Sequence, residues 1–313
     1  MPALLMTLLL MPPVRAEAKG ISIPEEIKDI PEEYFEPAKY PGRLLNFYYK
    51  TRDAFDYENG RELEKRAMVY LPYGYSFGEK FDIIYVMHGG GSHESWIFGT
   101  QYEPSDYVNV MDHAIEDGLM RPVIIVCCTY NNADYNKRFR GQQGDALKLC
   151  QAYHNELVND LMPAVEGTFK TYAEDTTPAG LKASAQHRCF AGFSNGAVCT
   201  WEIFMSAGDY FYYYFPMSAG EHPFIEDSEA AASARKSDSF FVLTITGGED
   251  FNLYHERNRA EDMRNSPYFT EQTDTQNGNF AFRVKEGRKH LNVSAQEYMF
   301  NGFQILFGAD EAL

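Results

Sequence analysis

Residues Cys189–Phe204 read CFAGFSNGAVCTWEIF: an apolar run, two glycines enclosing a serine and an asparagine, then a run with helical spacing. Gly192-Phe193-Ser194-Asn195-Gly196 is a G-x-S-x-G sequence. Between a buried strand and a helix it predicts a sharp, strained turn that lifts the Ser194 hydroxyl out of the sheet. Glycines two residues to either side remove the Cβ atoms that would strike the neighbouring strand and helix. The same turn aims the first N–H groups of the helix, at its positive dipole end, towards the point where an oxyanion would form. The segment reads as a nucleophile elbow, with the Asn195 N–H as one oxyanion donor.

Outward from the elbow, strand and helix patterns alternate. Glu64–Tyr75 alternates apolar and polar residues and breaks at Pro72, the pattern of a half-buried strand. Phe81–Gly91 and Pro122–Tyr130 contain continuous apolar runs, the mark of strands covered on both faces. A helix is predicted after Ser105, with Ser105 as N-cap, and a long one over 146–169, with Pro163 near its end. Further strands are expected at His187–Phe193, Tyr212–Met217, Phe240–Thr246 and Asn279–Val284, and helices at Asn195–Ser206, Tyr254–Asn265 and Ser294–Leu306. This order implies an α/β architecture: one mostly parallel sheet with helices on both faces. Functional groups in such sheets gather outside the carboxyl ends of the strands, where each unusual short motif of this chain falls.

A nucleophilic serine needs a base, and the base an orienting acid, expected on later strand ends in the order serine, acid, histidine. The run FFVLTITGGEDFNLY ends a strand at Gly247-Gly248 and presents Glu249 and Asp250. Asp250 is the preferred acid and Glu249 its close rival. His290, in AFRVKEGRKHLNVS, is the only one of eight histidines that follows a strand after that acid. His113, His154 and His255 fall on predicted helix surfaces. Upstream, VMHGGGSHESW places glycines at the end of a central strand. Acyl transfer needs two backbone donors at the oxyanion, and Gly90 is the candidate for the second. Gly89 lies beside it as a substrate-contacting position, and His88 is expected to brace the loop. Trp96 and Phe98, with Tyr102 after them, are candidate walls of an acyl pocket for an aromatic ring. Glu221 and His222 also follow a strand and are placed where they could touch substrate, without being counted among the site residues.

The chain has 313 residues, 44% hydrophobic and 23% charged, a composition suited to one large globular domain. A formal net charge of −17 disfavours nucleic acid and anionic membrane surfaces as partners, whereas a neutral polymer or ester is not repelled. An apolar stretch from Ala3 to Met11, followed by Pro-Pro and Ala16-Glu17-Ala18, predicts a signal peptide over residues 1–18 and a secreted or periplasmic protein. Residues 19–61 are expected to form an extension with edge strands. Five cysteines lack metal-ligand spacing; buried thiols are the default, and Cys189 with Cys199 is a candidate disulfide if the chain is exported.

The HGGGSHESW loop, the GFSNGA elbow, the GGED loop and His290 together resemble the esterases of carbohydrate-esterase family one. These include the feruloyl esterases attached to bacterial xylanases, along with esterase-D-like enzymes. The resemblance runs from about Glu62 to the C-terminus. It implies an α/β-hydrolase fold over 62–313 with no large lid, and a Ser194–His290–Asp250 triad. It also implies hydrolysis of an ester joining ferulate or another hydroxycinnamate to plant xylan or oligosaccharides. Acetyl-xylan esterase, other small-acyl esterases of S-formylglutathione or siderophore type, and a hydrolase-like carbohydrate-binding protein are the alternatives. Relatives often carry Met after the nucleophile and Gly after the second elbow glycine; here those positions are Asn195 and Ala197. The implied chemistry requires no metal or organic cofactor.

Overall fold

The computed structural model describes residues 21–76, 78–137 and 146–309; the expected signal segment lies outside them. Strands β1 (Arg43–Arg52), β2 (Glu62–Leu71), β3 (Asp82–Met87), β4 (Val123–Cys128), β5 (Arg188–Phe193), β6 (Tyr213–Met217), β7 (Phe241–Gly247) and β8 (Phe280–Lys285) form one sheet. Their order is β1-β2-β4-β3-β5-β6-β7-β8. β1 pairs antiparallel with β2 from Arg43↔Leu71 to Arg52↔Glu62, so residues 43–52 extend the same sheet as the strands that follow. β2 is antiparallel to β4, and every later neighbouring pair is parallel.

Every residue of β3, β4, β5 and β7 is buried, which explains their unbroken apolar runs. Side chains still alternate by face: Ile83, Tyr85 and Met87 of β3 enter one core, while Ile84 and Val86 enter the other. The first core also takes residues from α2 (Ala146–Glu156), α3 (Met162–Thr168), α4 (Pro178–Ala183), α5 (Asn195–Ser206), α6 (Ile225–Ser233) and α7 (Leu253–Asn265). The second is closed by α1 (Tyr107–Glu116) and α8 (Asn292–Phe307), together with Ile23, Ile27 and Tyr34 of the N-terminal segment.

Three expectations are corrected. The helix expected over 146–169 is interrupted by a π-helical turn at Leu157–Leu161. Pro163 lies just beyond; it has no N–H to give to the fourth carbonyl back, and its ring crowds that turn. Ser105 is not the cap of α1, which starts after Asp106; its hydroxyl donates to the Ile97 carbonyl at 2.5 Å. Cys189 and Cys199 are both free thiols, because the first packs in one core and the second in the other, with the sheet between them. No helix among the described residues is long and apolar enough to cross a membrane.

Candidate active site

Ser194 sits between β5 and α5 with φ 59° and ψ −120°, a conformation that side-chain-bearing residues rarely adopt. Its neighbours make the turn sterically specific. A Cβ on Gly192 would lie 2.1 Å from the Gly196 carbonyl oxygen, and one on Gly196 would lie 2.3 Å from that of Met87. The Ser194 N–H donates to the Met217 carbonyl at 3.0 Å, tying the elbow to the end of β6. Its hydroxyl caps no helix N–H. Asn195 is the first residue of α5, so its N–H has no acceptor within the helix.

The loop after β3 lies against this turn. A Cβ on Gly89 would meet the Ser194 Cβ at 3.4 Å, and one on Gly90 would come within 2.8 Å of Asn195 Nδ2. His88 holds the loop from below, with Nδ1 2.7 Å from the Gly89 carbonyl and Nε2 2.7 Å from Thr129 Oγ1. Burial lowers the His88 pKa to about 3, so the ring is neutral. A carbonyl can only accept, so Nδ1 carries the proton and Nε2 accepts from the threonine. The Tyr130 hydroxyl adds a second bond to Gly89 O at 3.2 Å, and Asn131 Nδ2 donates to Ser92 O at 2.8 Å.

On the far side of the elbow, the loops after β7 and β8 are bonded to each other. Glu249 N donates to Arg288 O at 3.0 Å and Gly248 N to Lys285 O at 2.9 Å. The approach depends on Gly247, where a Cβ would lie 2.0 Å from the Arg288 carbonyl oxygen. This docking brings His290 to Asp250, with Nδ1 at 3.0 and 2.9 Å from the two carboxylate oxygens. Asp250 is buried and accepts the Asn252 N–H at 2.8 Å, so its carboxylate is fixed before it orients the imidazole. Glu249 points outward, 57% exposed at its side chain, towards Lys289 Nζ at 3.6 Å. The His290 ring is clamped between Phe193 and Phe251, with centroids at 4.5 and 4.2 Å. Asp250 occupies Nδ1, which leaves Nε2 as the ring nitrogen available to a substrate or nucleophile.

A cavity of about 320 Å³ opens on Ser194 and Asn195. Leu147, Cys150, Val198 and Phe251 supply its apolar wall, and Asn252, Glu221 and His222 its polar side. None of these residues is among those expected to wall an acyl pocket. Phe98 is only 1% exposed, packed between Tyr70 and Tyr107 in the core beneath α1. Trp96 stacks on Phe193 at 6.3 Å, a row removed from the cavity, and Tyr102 stands in solvent. Phe251, beside the acid in sequence, carried a readable signal; Leu147, Cys150 and Val198 carried none, because they read as helix core. Also unforeseen were Glu256 and Arg259 of α7, which hold the loop carrying Glu221 and His222.

Strand order, elbow and strand-end loops together define an α/β hydrolase of the carboxylic-ester-hydrolase class. A family model described as Esterase matches residues 61–296, and the chain belongs to that esterase family. It is similar to the feruloyl esterase module of Clostridium thermocellum, solved as a serine-to-alanine variant with sinapinate. That likeness has 30% identity and a TM-score of 0.77, over 96% of this chain and 99% of that one. A CE1 ferulic acid esterase of Anaeromyces mucronatus, at 19% identity and TM-score 0.65 over 89% and 96% of the two chains, shares the fold. Endo-1,4-beta-xylanase Y of Acetivibrio thermocellus is 30% identical over 290 residues, 90% of this chain and 25% of that protein. The chain thus spans about a quarter of the length of that relative.

Proposed function

We propose that this chain is a feruloyl esterase that releases hydroxycinnamates from feruloylated xylan or xylo-oligosaccharides through Ser194, His290 and Asp250. The observation that carries the reading is the His290 imidazole, held through Nδ1 by Asp250 and clamped by Phe251, which also walls the cavity at Ser194. The likeness to a module solved with sinapinate, and to a protein named as a xylanase, supports the substrate class.

Among the described residues, the side-chain hydrogen bonds of His290 go to Asp250 alone; contact with the serine closes when substrate is bound. His290 Nε2 then takes the Ser194 proton as the oxygen attacks the ester carbonyl, while Asp250 stabilises the imidazolium. The N–H groups of Asn195 and Gly90 receive the oxyanion. Collapse of the tetrahedral intermediate breaks the bond to the sugar oxygen, which leaves with the proton from His290. Water, deprotonated by His290, then clears the acyl-enzyme and releases the acid. The ring of the acyl group occupies the cavity against Leu147, Val198 and Phe251, with its phenolic end towards Asn252, Glu221 and His222. Export belongs to the same proposal, since the substrate is an extracellular polymer and residues 1–18 carry the pattern of a signal.

A hydrolysis panel tests this. Methyl ferulate is expected to exceed p-nitrophenyl acetate and acetylated xylan in kcat/KM by about tenfold or more, since an acetyl group leaves the apolar wall uncovered. Ser194→Ala is expected to lose at least about 10³-fold on every ester. Preference for acetyl esters would replace the feruloyl reading, and turnover by Ser194→Ala would remove the serine mechanism.

A further inference from the structure

The loop after β3 packs through Gly90 against Asn195, which lines the Ser194 cavity, and its His93 and Glu94 wall a second cavity, of about 380 Å³, together with residues that follow β4. Charges around the second cavity are consumed locally. Lys65 Nζ is 2.7 Å from Glu156 Oε2, Arg66 Nη2 is 2.7 Å from Glu94 Oε1, and Asp134 pairs with Lys137 at 2.8 Å. Among the described residues lining it, each lysine and arginine already has a carboxylate partner. No cluster of side chains among the described residues fits a metal ion.

Two of its lining groups are placed to receive a ligand. Asn131 lines the cavity, is 6% exposed, and has its Oδ1 buried without a hydrogen-bond partner. A buried acceptor left unpaired is unfavourable, and a donor arriving with a ligand would offset that cost. Tyr135, also lining the cavity, is 40% exposed, and its ring packs edge-on against Tyr48 of β1 at 4.8 Å. An exposed ring fixed by a second ring presents a flat apolar face at little entropic cost. An aromatic face, an amide acceptor and balanced charge suit a neutral polyol, whose C–H face stacks while a hydroxyl donates.

We infer that this cavity is a glycosyl subsite for the alcohol side of the ester. The acyl ring lies in the Ser194 cavity and the xylo-oligosaccharide in the second, with a sugar ring on Tyr135 and a hydroxyl donating to Asn131 Oδ1 after a side-chain rotation at the cavity floor. This rests on the feruloyl-esterase reading for its substrate but not for its binding chemistry.

The test uses the full chain. Its readout is the ratio of kcat/KM for a feruloylated xylotriose to kcat/KM for methyl ferulate. Tyr135→Ala and Asn131→Ala are each expected to lower that ratio about tenfold, chiefly through KM for the oligosaccharide ester. Asn131→Ala also loses the brace on Ser92, which slows both esters alike and cancels in the ratio; Tyr135→Ala keeps the test open if that variant folds poorly. Unesterified xylotriose, titrated by NMR into Ser194→Ala, is expected to bind at least about fivefold more weakly once Tyr135→Ala is added. An unchanged ratio in both variants, or xylotriose binding indifferent to Tyr135, overturns the subsite. If the wild type hydrolyses neither ferulate ester, the feruloyl reading falls and the xylotriose titration still judges the cavity.

Discussion

The loop after β3 and the loop after β6 both lie at the Ser194 rim, the first held by neutral groups and the second by a buried ion pair. Under the first, His88, Thr129, Tyr130 and Asn131 form a network that leaves the His88 ring neutral and fully bonded. Under the second, Glu256 Oε1 accepts the Ala219 N–H at 2.5 Å, and Arg259 Nη2 reaches the carbonyls of Gly220, Glu221 and Pro223 at 2.7, 3.2 and 3.4 Å. Glu256 and Arg259 approach only to 3.6 Å, and Glu256 Oε2 and Arg259 Nη1 are buried without hydrogen-bond partners. Burial, with a smaller push from the nearby Asp250 charge, raises Glu256 to about 7. The same backbone-holding task is thus met by a neutral network, in which only Asn131 Oδ1 is left unpaired, and by a charged one with an unpaired atom on each ion. Desolvation is what separates them: a buried charge must be matched by several partners before it repays its lost hydration.

The sharpest way to break this comparison is Arg259→Ala. It strips three carbonyls of their donor and leaves Glu256 without its cation, so unfolding free energy is expected to fall by about 3–5 kcal/mol in chemical denaturation. A loss below about 1 kcal/mol would mean that the loop is held by its own backbone.

Next in size is a pH effect whose sign differs between the two clamps. Between the ordinary glutamate value of 4.5 and about 7, the folded chain keeps a Glu256 proton that the unfolded chain has released. Stability from this group therefore falls as pH rises through that window, by about 3 kcal/mol. His88 acts oppositely: between about 3 and its ordinary 6.5, the unfolded chain holds the extra proton, so stability falls as pH drops. In wild type the two slopes oppose each other from pH 4.5 to 6.5. Glu256→Gln removes one, and its Tm is expected to climb with pH across that range more steeply than the wild-type Tm. Parallel curves would show that Glu256 titrates as an ordinary glutamate.

The smallest effect concerns a third kind of clamp, at the surface. Asp29 of the N-terminal segment pairs with Lys285 at 2.7 Å and Arg288 at 3.0 Å, beside the His290 loop. Its carboxylate is largely exposed, and the lysine holds its pKa below the usual value. Asp29→Ala is expected to cost less than about 1 kcal/mol, and less still in high salt. A large loss of activity at unchanged stability would promote this segment from packing to positioning of His290.

How much could be read in advance varied with the range of the interaction. The elbow was legible because its cause is local: Gly192 and Gly196 are needed by a turn five residues long, whatever surrounds it. The strands were legible because burial on both faces leaves an unbroken apolar run. Glu249 and Asp250 were not separable, since neighbouring carboxylates on one turn differ only in the direction that docking of the β7 and β8 loops imposes. Phe98 was misplaced for a related reason. An aromatic residue after a glycine loop is suited to either a core or a pocket, and α1 packing over Phe98 made it core.

The sequence by itself determined the class of fold, the strained serine turn and the order of chemical groups along the strand ends, because each rests on periodicity or on backbone sterics within a few residues. Only the tertiary structure decided which carboxylate meets His290, which side chains wall the Ser194 cavity and which buried charges clamp the loops. Those depend on distances between segments far apart in the chain, and on the water that packing removes from between them.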